Sequence, residues 1–261
     1  MIDETVRTWR NGTIFEVVLD RPRANAIDAA TSRRLGAAFA QFRDDPELRV
    51  AIITGGGEKF FCAGWDLIAA AEGEPHDADY GVGGFGGLQE LPELNKPVIA
   101  AVNGMAVGGG FELALAADLI LAAQHARFAL PEITAGTLAE AATIRLPRRI
   151  PYHLAMELLL LGRWMNAAEA HTHGIVSEIT PGAELMRRAR ELAATLASGP
   201  PLVFAAIKEV VRESEVLSFG QAMQGIRQQR FPSVARLYTS EDQREGARAF
   251  REKRAPRWRG R

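Results

Sequence analysis

The sequence predicts an α/β fold with parallel strands and a helical C-terminal region. Three observations carry that expectation. Two apolar runs, residues 50–54 (VAIIT) and 97–102 (PVIAAV), read as buried strands, and each ends in a glycine-containing turn. A helical stretch, residues 111–117, joins the second run to a third, residues 118–122 (DLILA), and strand, turn, helix, strand at this spacing makes parallel βαβ units. From about Leu185 onward there is no strand pattern, only helical patterns broken at Gly199-Pro200-Pro201 and Phe231-Pro232.

The chain opens on apolar positions Val6 and Trp9, then Ile14, Val17 and Leu19, set around Asn11-Gly12, a dipeptide favoured in tight hairpin turns. Asp28 can cap a helix whose apolar residues Ala30, Leu35, Ala38, Phe39 and Phe42 recur mostly at three- and four-residue steps, until Asp45-Pro46 stops it. The strand at 50–54 ends at Gly55-Gly56-Gly57, and that at 97–102 runs into Asn103-Gly104 and a glycine triplet. Ligands of parallel α/β sheets bind beyond the carboxyl ends of the strands, so the loops after Thr54 and Val102 are where a site is expected. Residues 73–87 (GEPHDADYGVGGFGG) read as a mobile surface loop, with a lid over a substrate as the alternative. No repeat of fixed period is found. The division expected is a core over residues 1–198 and a helical region over 199–261.

Composition excludes several function classes. Lys and Arg number 31 against 32 Asp and Glu, so the molecule as a whole has no electrostatic reason to seek nucleic acid or an anionic membrane. A small ligand is expected instead. Charged residues interrupt every apolar run short of the roughly 20 residues of a membrane helix. A single cysteine, Cys62, allows no intramolecular disulfide, and the first twelve residues lack a basic-then-apolar signal pattern, which together predict a cytoplasmic protein.

The chemistry concentrates in residues 99–119 (IAAVNGMAVGGGFELALAADL). Glycines 108–110 follow a strand and open a helix, where the backbone can approach a ligand closely and unpaired N–H groups face it. Neither Gly-x-Gly-x-x-Gly nor the Lys-Ser/Thr of a P-loop is present here, so both nucleotide readings are rejected. A second donor loop, residues 60–66 (FFCAGWD), follows the strand that ends at Thr54. Two such loops from neighbouring strands can aim two N–H groups at one oxygen, the geometry that stabilises a developing oxyanion. Cys62, with no base beside it in sequence, reads as a small buried residue. His171 and His173 lie two apart on a predicted helix and point to different faces, so no metal site is expected.

These segments resemble the enoyl-CoA hydratase/isomerase (crotonase) superfamily. IAAVNGMAVGGGFELALAAD is similar to its signature and FCAGWDL to its other oxyanion-hole segment, in the expected order, and the likeness continues through RPRANAID, LPEIT at 130–134 and SEDQREGARAFREKR at 240–254. Several pieces resemble carnitinyl-CoA dehydratases more closely than generic hydratases. The resemblance implies a crotonase-type repeated ββα core with a helical C-terminal region that mediates oligomerisation into a homotrimer or hexamer. It implies an acyl-CoA substrate whose thioester oxygen sits between the N–H groups of Trp65 and Gly109. By the same resemblance Glu112 activates water and Glu132 transfers the proton at Cα. Ala24, Ala26, Ala63, Asp66, Leu67, Ile68 and Lys253 are implied in substrate or CoA binding, and the Trp65 ring could shape the acyl pocket.

Such chemistry is sensible for two carboxyl groups in differing environments, one taking a proton from water and the other delivering one to carbon. No metal or redox cofactor is expected, because the thioester itself is the electron sink and coenzyme A enters as part of the substrate. Taken alone, Glu112 would be a solvated first-turn glutamate and Glu132 a surface residue after a proline; the motif reverses that reading. Departing from the family pattern, the loop after Glu132 lacks the usual proline and Gly-Gly pair and is one residue short. Alanine does not take positive φ cheaply, so this loop, with Ala141-Ala142, should follow a different path. That departure keeps an isomerase, and an acyl-CoA-binding paralogue without catalysis, as alternatives.

Overall fold

The computed structural model describes residues 5–261; residues 1–4, with which the segment read for a signal pattern begins, lie outside the described residues. The expected hairpin is present: β1 (Val6–Asn11) and β2 (Ile14–Leu19) pair antiparallel, with Gly12 at φ 59° in the turn. Its two strands differ sharply. β1 is largely exposed, whereas β2 is buried at every position because its other edge pairs in parallel with β3 (Val50–Gly55). Even Glu16 lies inside, and Arg190 meets both its carboxylate oxygens at 2.8 Å. Helix α1 (Ala29–Asp44) starts where Asp28 Oδ1 accepts the Thr31 N–H at 2.7 Å, and it buries Leu35, Ala38, Phe39 and Phe42. Ala30, expected inside, faces solvent; Ala29 is buried in its place.

One unit then comes three times, a long strand, a short strand and a helix, which is the repeated ββα expected from the resemblance. It runs as β3, β4 (Phe60–Cys62) and α2 (Leu67–Ala71), then as β5 (Val98–Val102), β6 (Met105–Val107) and α3 (Gly109–Ala116). The third copy is β7 (Leu119–Ala123), β8 (Arg127–Ala129) and α4 (Glu132–Ala135). Unequal insertions between the copies explain why no fixed period is visible in the sequence. The short strands build their own sheet in the order β4-β6-β8-β9, parallel except for β9 (Met165–Asn166). The long strands form a sheet ordered β1-β2-β3-β5-β7-β10, ending with β10 (Glu178–Thr180), and all its pairings beyond β1 with β2 are parallel.

Between the units and β10 come α5 (Glu140–Arg149), α6 (Tyr152–Leu161) and α7 (Ala167–Thr172), and after it α8 (Leu185–Ala197). In the main core α8 packs on β2, β3, β5 and β7, α1 on β1, and α3 on the short strands β4 and β6, with Leu35, Phe39, Val50, Ile53, Ile99, Phe111 and Leu121 fully buried. Each such side chain contributes about 1.5–3 kcal/mol by leaving water. The rest is helical: α9 (Pro201–Glu213), α10 (Phe219–Arg227), α11 (Pro232–Thr239) and α12 (Glu241–Glu252). Of these, α9, α10 and α11 share a small core around Ala206, Phe231 and Val234. Among the described residues no single helix is long and apolar enough to cross a membrane.

The glycine-rich stretch is a correction to the surface-loop reading. Gly83, Gly86 and Gly87 are buried, because residues 81–87 pack directly on α1. Ser32 Oγ accepts the Gly86 N–H at 3.0 Å, and a β-carbon on Gly87 would overlap the Leu35–Gly36 backbone. Only the absence of a side chain at Gly87 lets the two segments approach so closely.

Candidate active site

Three short parallel neighbours, β4, β6 and β8, end side by side and deliver the candidate residues to one place. After β4 comes Ala63-Gly64-Trp65, after β6 Gly108-Gly109, and after β8 Leu130-Pro131-Glu132. The Gly108 N–H donates to the Ala129 carbonyl at 2.8 Å, which ties the second end to the third. A β-carbon on Gly64 would lie 2.9 Å from the Gly109 nitrogen, so the first and second ends touch as well.

Two backbone N–H groups are left free there. Ile27 pairs in parallel with Trp65, donating to Gly64 O at 2.8 Å and accepting from Asp66 N at 2.9 Å. In a parallel bridge the residue straddled this way turns its own N–H to the opposite side, and that residue is Trp65. Gly109 is the first residue of α3, where N–H groups have no intrahelical acceptor. Gly108, at the capping position, has no side chain to supply one. Neither N–H has a hydrogen-bond partner among the described residues.

The glycine triplet is required position by position. Gly108 has φ 54° and ψ −128°, outside the regions open to other residues, and a β-carbon on it would lie 2.7 Å from Glu132 Oε1. On Gly109 a β-carbon would overlap the Phe85 ring, and on Gly110 the Cys62 carbonyl. Cys62 is buried as expected, with its thiol pushed up to about 12 by that burial.

The two glutamates flank Gly108 and differ in environment. Glu112, in the first turn of α3, is 8% exposed, and its Oε1 accepts the Ala142 N–H at 2.8 Å. Burial raises its pKa, resisted by the N–H groups of Ala142 and Ala141 and by the Arg145 charge. Glu132 Oε2 is buried and has no hydrogen-bond partner among the described residues. Burial, with the Glu112 charge adding to it, pushes the Glu132 carboxyl up to about 7. In the unusual loop, Gly136 carries the positive φ (70°), and Ala141 and Ala142 lie in the first turn of α5. The alanine pair is thus what presents an N–H to Glu112.

The remaining predicted residues spread outward from this centre. Ala24 O accepts the Ala63 N–H at 3.0 Å, so the segment of Ala24 and Ala26 runs alongside the Trp65 loop. The Asp66 carboxylate is engaged by Arg21 and by the N–H groups of Ile68 and Ala69. Burial works against its charge, yet Arg21 and those N–H groups hold its pKa down. Arg21 also reaches Asp28 at 2.9 Å and the Ala26 carbonyl at 3.0 Å, tying the two segments together. Leu67 and Ile68 are exposed on α2. Lys253 ends α12 in the left-handed conformation with an exposed side chain, and α12 packs on α11. His171 is exposed, with Nδ1 2.9 Å from the Val176 carbonyl.

Several neighbours escaped sequence reasoning. Glu74 accepts the Trp65 indole N–H at 3.2 Å and the Ala29 N–H at 3.0 Å. Arg145, half-buried, donates to Gln89 Oε1 and to the Gln89 carbonyl. Tyr80 and Phe85 come from the glycine-rich stretch. Only the polar residues within that glycine run could have hinted at them.

Comparison with known proteins shows which family shares this sequence and fold. The enoyl-CoA hydratase/isomerase family pattern matches residues 9–261. The chain is 52% identical over 261 residues to the carnitinyl-CoA dehydratase of Proteus mirabilis (strain HI4320) and 54% identical over 264 residues to that of Salmonella typhi, with all of each chain covered. Among solved structures, the enoyl-CoA hydratase of Mycobacterium tuberculosis H37Rv superimposes with a TM-score of 0.89 at 39% identity, covering 99% of this chain and 100% of that one. With a match from residue 9 to the last and relatives more than half identical end to end, this chain belongs to the enoyl-CoA hydratase/isomerase family, and its fold is the crotonase fold.

Proposed function

We propose that the protein is a hydro-lyase that adds water to, and removes it from, an acyl-CoA thioester, with crotonobetainyl-CoA and carnitinyl-CoA as the substrate pair. The observation that carries this reading is the pairing of two unlike carboxyl groups beside two free N–H groups. In it, the N–H groups of Trp65 and Gly109 hold the thioester oxygen as the enolate forms. Glu112, whose burial raises its pKa against the pull of the Ala142 N–H and the Arg145 charge, takes a proton from the attacking water in its ionised form. Glu132, raised to about 7, is protonated in about half of the molecules at neutral pH, and that form delivers the proton to Cα. In dehydration the same proton moves back, and Glu112 protonates the leaving hydroxyl. Ala24, Ala26 and Ala63 line the approach, with Asp66 fixing the loop through Arg21. Coenzyme A enters only as part of the substrate, and its electron-withdrawing thioester removes the need for a metal.

The dehydratase names of relatives at 52–54% identity support the choice of acyl group. Incubation with crotonobetainyl-CoA in ¹⁸O-labelled water, read by mass spectrometry, should place label at Cβ. Double-bond migration without label would favour an isomerase, and binding without turnover an inactive paralogue. We also infer a cytoplasmic location and self-association of the 199–261 region into trimers or hexamers. Val216, Phe219 and Phe250, each more than 80% exposed, support the latter. Sedimentation at micromolar concentration tests it, and a clean monomer would count against it.

A further inference from the structure

The glycine-rich stretch brings two aromatic rings up to Gly109. Tyr80 and Phe85 stand edge to face, with ring centroids 5.4 Å apart and planes at 80°, and both are partly exposed. Phe85 lies directly against Gly109, where a β-carbon would overlap the ring. The aromatic pair therefore begins beside one of the two N–H groups that receive the thioester oxygen. Tyr80 extends it, with its hydroxyl donating to the His76 carbonyl at 3.0 Å, so the ring is what remains for recognition.

The charges that act on the Tyr80 hydroxyl are negative. Burial, followed by the negative charges of Glu74, Glu140 and Asp77, pushes the Tyr80 hydroxyl up to about 12. Glu74 is fixed by Trp65 and Ala29, and Glu140 opens α5, two residues before the Ala142 N–H that meets Glu112. One cation lies close by: Arg33 packs against Gly81 and donates to the Asp79 carbonyl at 2.6 Å, and it is outnumbered by Glu74, Glu140 and Asp77. A pocket for a plain hydrocarbon chain gains nothing from carboxylates in its wall, since they bind water that the chain would have to displace. Ring faces and distant carboxylates attract the same guest, a cation that needs no hydrogen-bond acceptor.

We propose that Tyr80 and Phe85 are specificity-determining residues that form a cation-binding wall of the acyl pocket and select an acyl group ending in a quaternary ammonium. This rests on the thioester placement in the reading above. In a γ-trimethylammonio four-carbon acyl group the nitrogen lies four bonds, roughly 5 Å, from the thioester carbon, a span that suits rings starting at Gly109. Glu140 and Glu74 act at longer range, adding attraction without direct pairing.

The test compares two saturated thioesters that cannot react, γ-trimethylammoniobutyryl-CoA and its neutral carbon isostere 5,5-dimethylhexanoyl-CoA, by calorimetry on the full chain. The wild type should bind the cation at least about tenfold more tightly than the isostere, and Tyr80→Leu and Phe85→Leu should each reduce that ratio about tenfold. Tyr80→Phe should retain the ratio. Glu140→Gln should lower it about threefold, an effect that shrinks with added salt. A ratio is insensitive to any fraction of unfolded protein, and the wild-type ratio alone is decisive should a leucine variant fail to fold. Equal affinity of the wild type for the two thioesters, or an unchanged ratio in both leucine variants, would overturn the proposal. Turnover of crotonobetainyl-CoA, measured in parallel, separates the two readings. Turnover with a ratio near one leaves the hydro-lyase standing without the cation wall, and a high ratio without turnover does the reverse.

Discussion

Replacing Glu132 with glutamine should stabilise the folded protein at alkaline pH while removing its activity. The wild-type carboxyl is raised from its ordinary 4.5 to about 7, chiefly by burial and then by the Glu112 charge. Between those values the folded protein holds a proton that the unfolded chain has released. Wild-type stability is therefore fully present below pH 4.5, falls as pH rises through that window, and reaches a lower plateau above about 7. At about 1.4 kcal/mol per tenfold difference in acidity the loss has a ceiling of about 3 kcal/mol. Glu132 is only partly buried, and solvent screening reduces the expected loss to about 1 kcal/mol. Glutamine keeps the size, never ionises and so escapes the loss. Urea unfolding of both proteins at pH 5 and pH 8.5, at one protein concentration, measures it. Relative to wild type the variant should gain about 1 kcal/mol between the two pH values, while its hydration rate falls about a hundredfold to ten-thousandfold. Parallel stability profiles together with near-normal turnover would refute both the titration and the catalytic role.

The remaining predictions concern the same centre. Both hydration and dehydration need one proton shared by the two carboxyl groups, so kcat/KM in each direction should fall about tenfold per pH unit above about 7; a flat profile to pH 9 would remove Glu132 as the proton donor. Gly108→Ala puts a β-carbon 2.7 Å from Glu132 Oε1 at φ 54°, and turnover should drop about a hundredfold, with a stability loss of about 1–3 kcal/mol in urea unfolding. Gly109→Pro removes one of the two free N–H groups, and a folded variant with a near-normal rate would exclude that group from holding the oxyanion. Ala142→Pro removes the N–H that meets Glu112 and adds a ring at a buried position; in a variant that folds, Glu112 should titrate higher and the rate at neutral pH should fall roughly tenfold.

The fold was legible where the sequence pattern is local. The Asp28 cap, the runs at 50–54 and 97–102 and the proline breaks at 200 and 232 act through neighbouring residues, and each lies where expected. The short strands β4, β6, β8 and β9 were not legible. Two or three residues give no periodicity, and Met105–Val107 acquires strand geometry only by lying between Phe60–Cys62 and Arg127–Ala129. The buried end of the glycine-rich stretch was missed for a related reason. Glycine and polar composition signals a loop, and the close approach to Gly36 that buries it lies some fifty residues away.

The same distinction between local and distant determinants decides what could be read of the site. Gly108 to Glu112 is one turn of chain, and its donors and carboxylate are fixed by the strand end and helix start on either side. Glu132 is different, because nothing within several residues of it makes its carboxyl unusual. Its carboxyl is displaced because the Gly108 N–H ties the end of β6 to the Ala129 carbonyl, setting Glu132 against a glycine with no side chain and within the field of Glu112. Glu112 in turn keeps a donor because α5 begins at Glu140 and points the Ala142 N–H at it. The loop that departs from the family pattern is therefore part of the site itself. Losing the glycine pair while retaining two alanines in a helical first turn preserves an N–H donor to the base, so the departure by itself does not argue for an inactive protein.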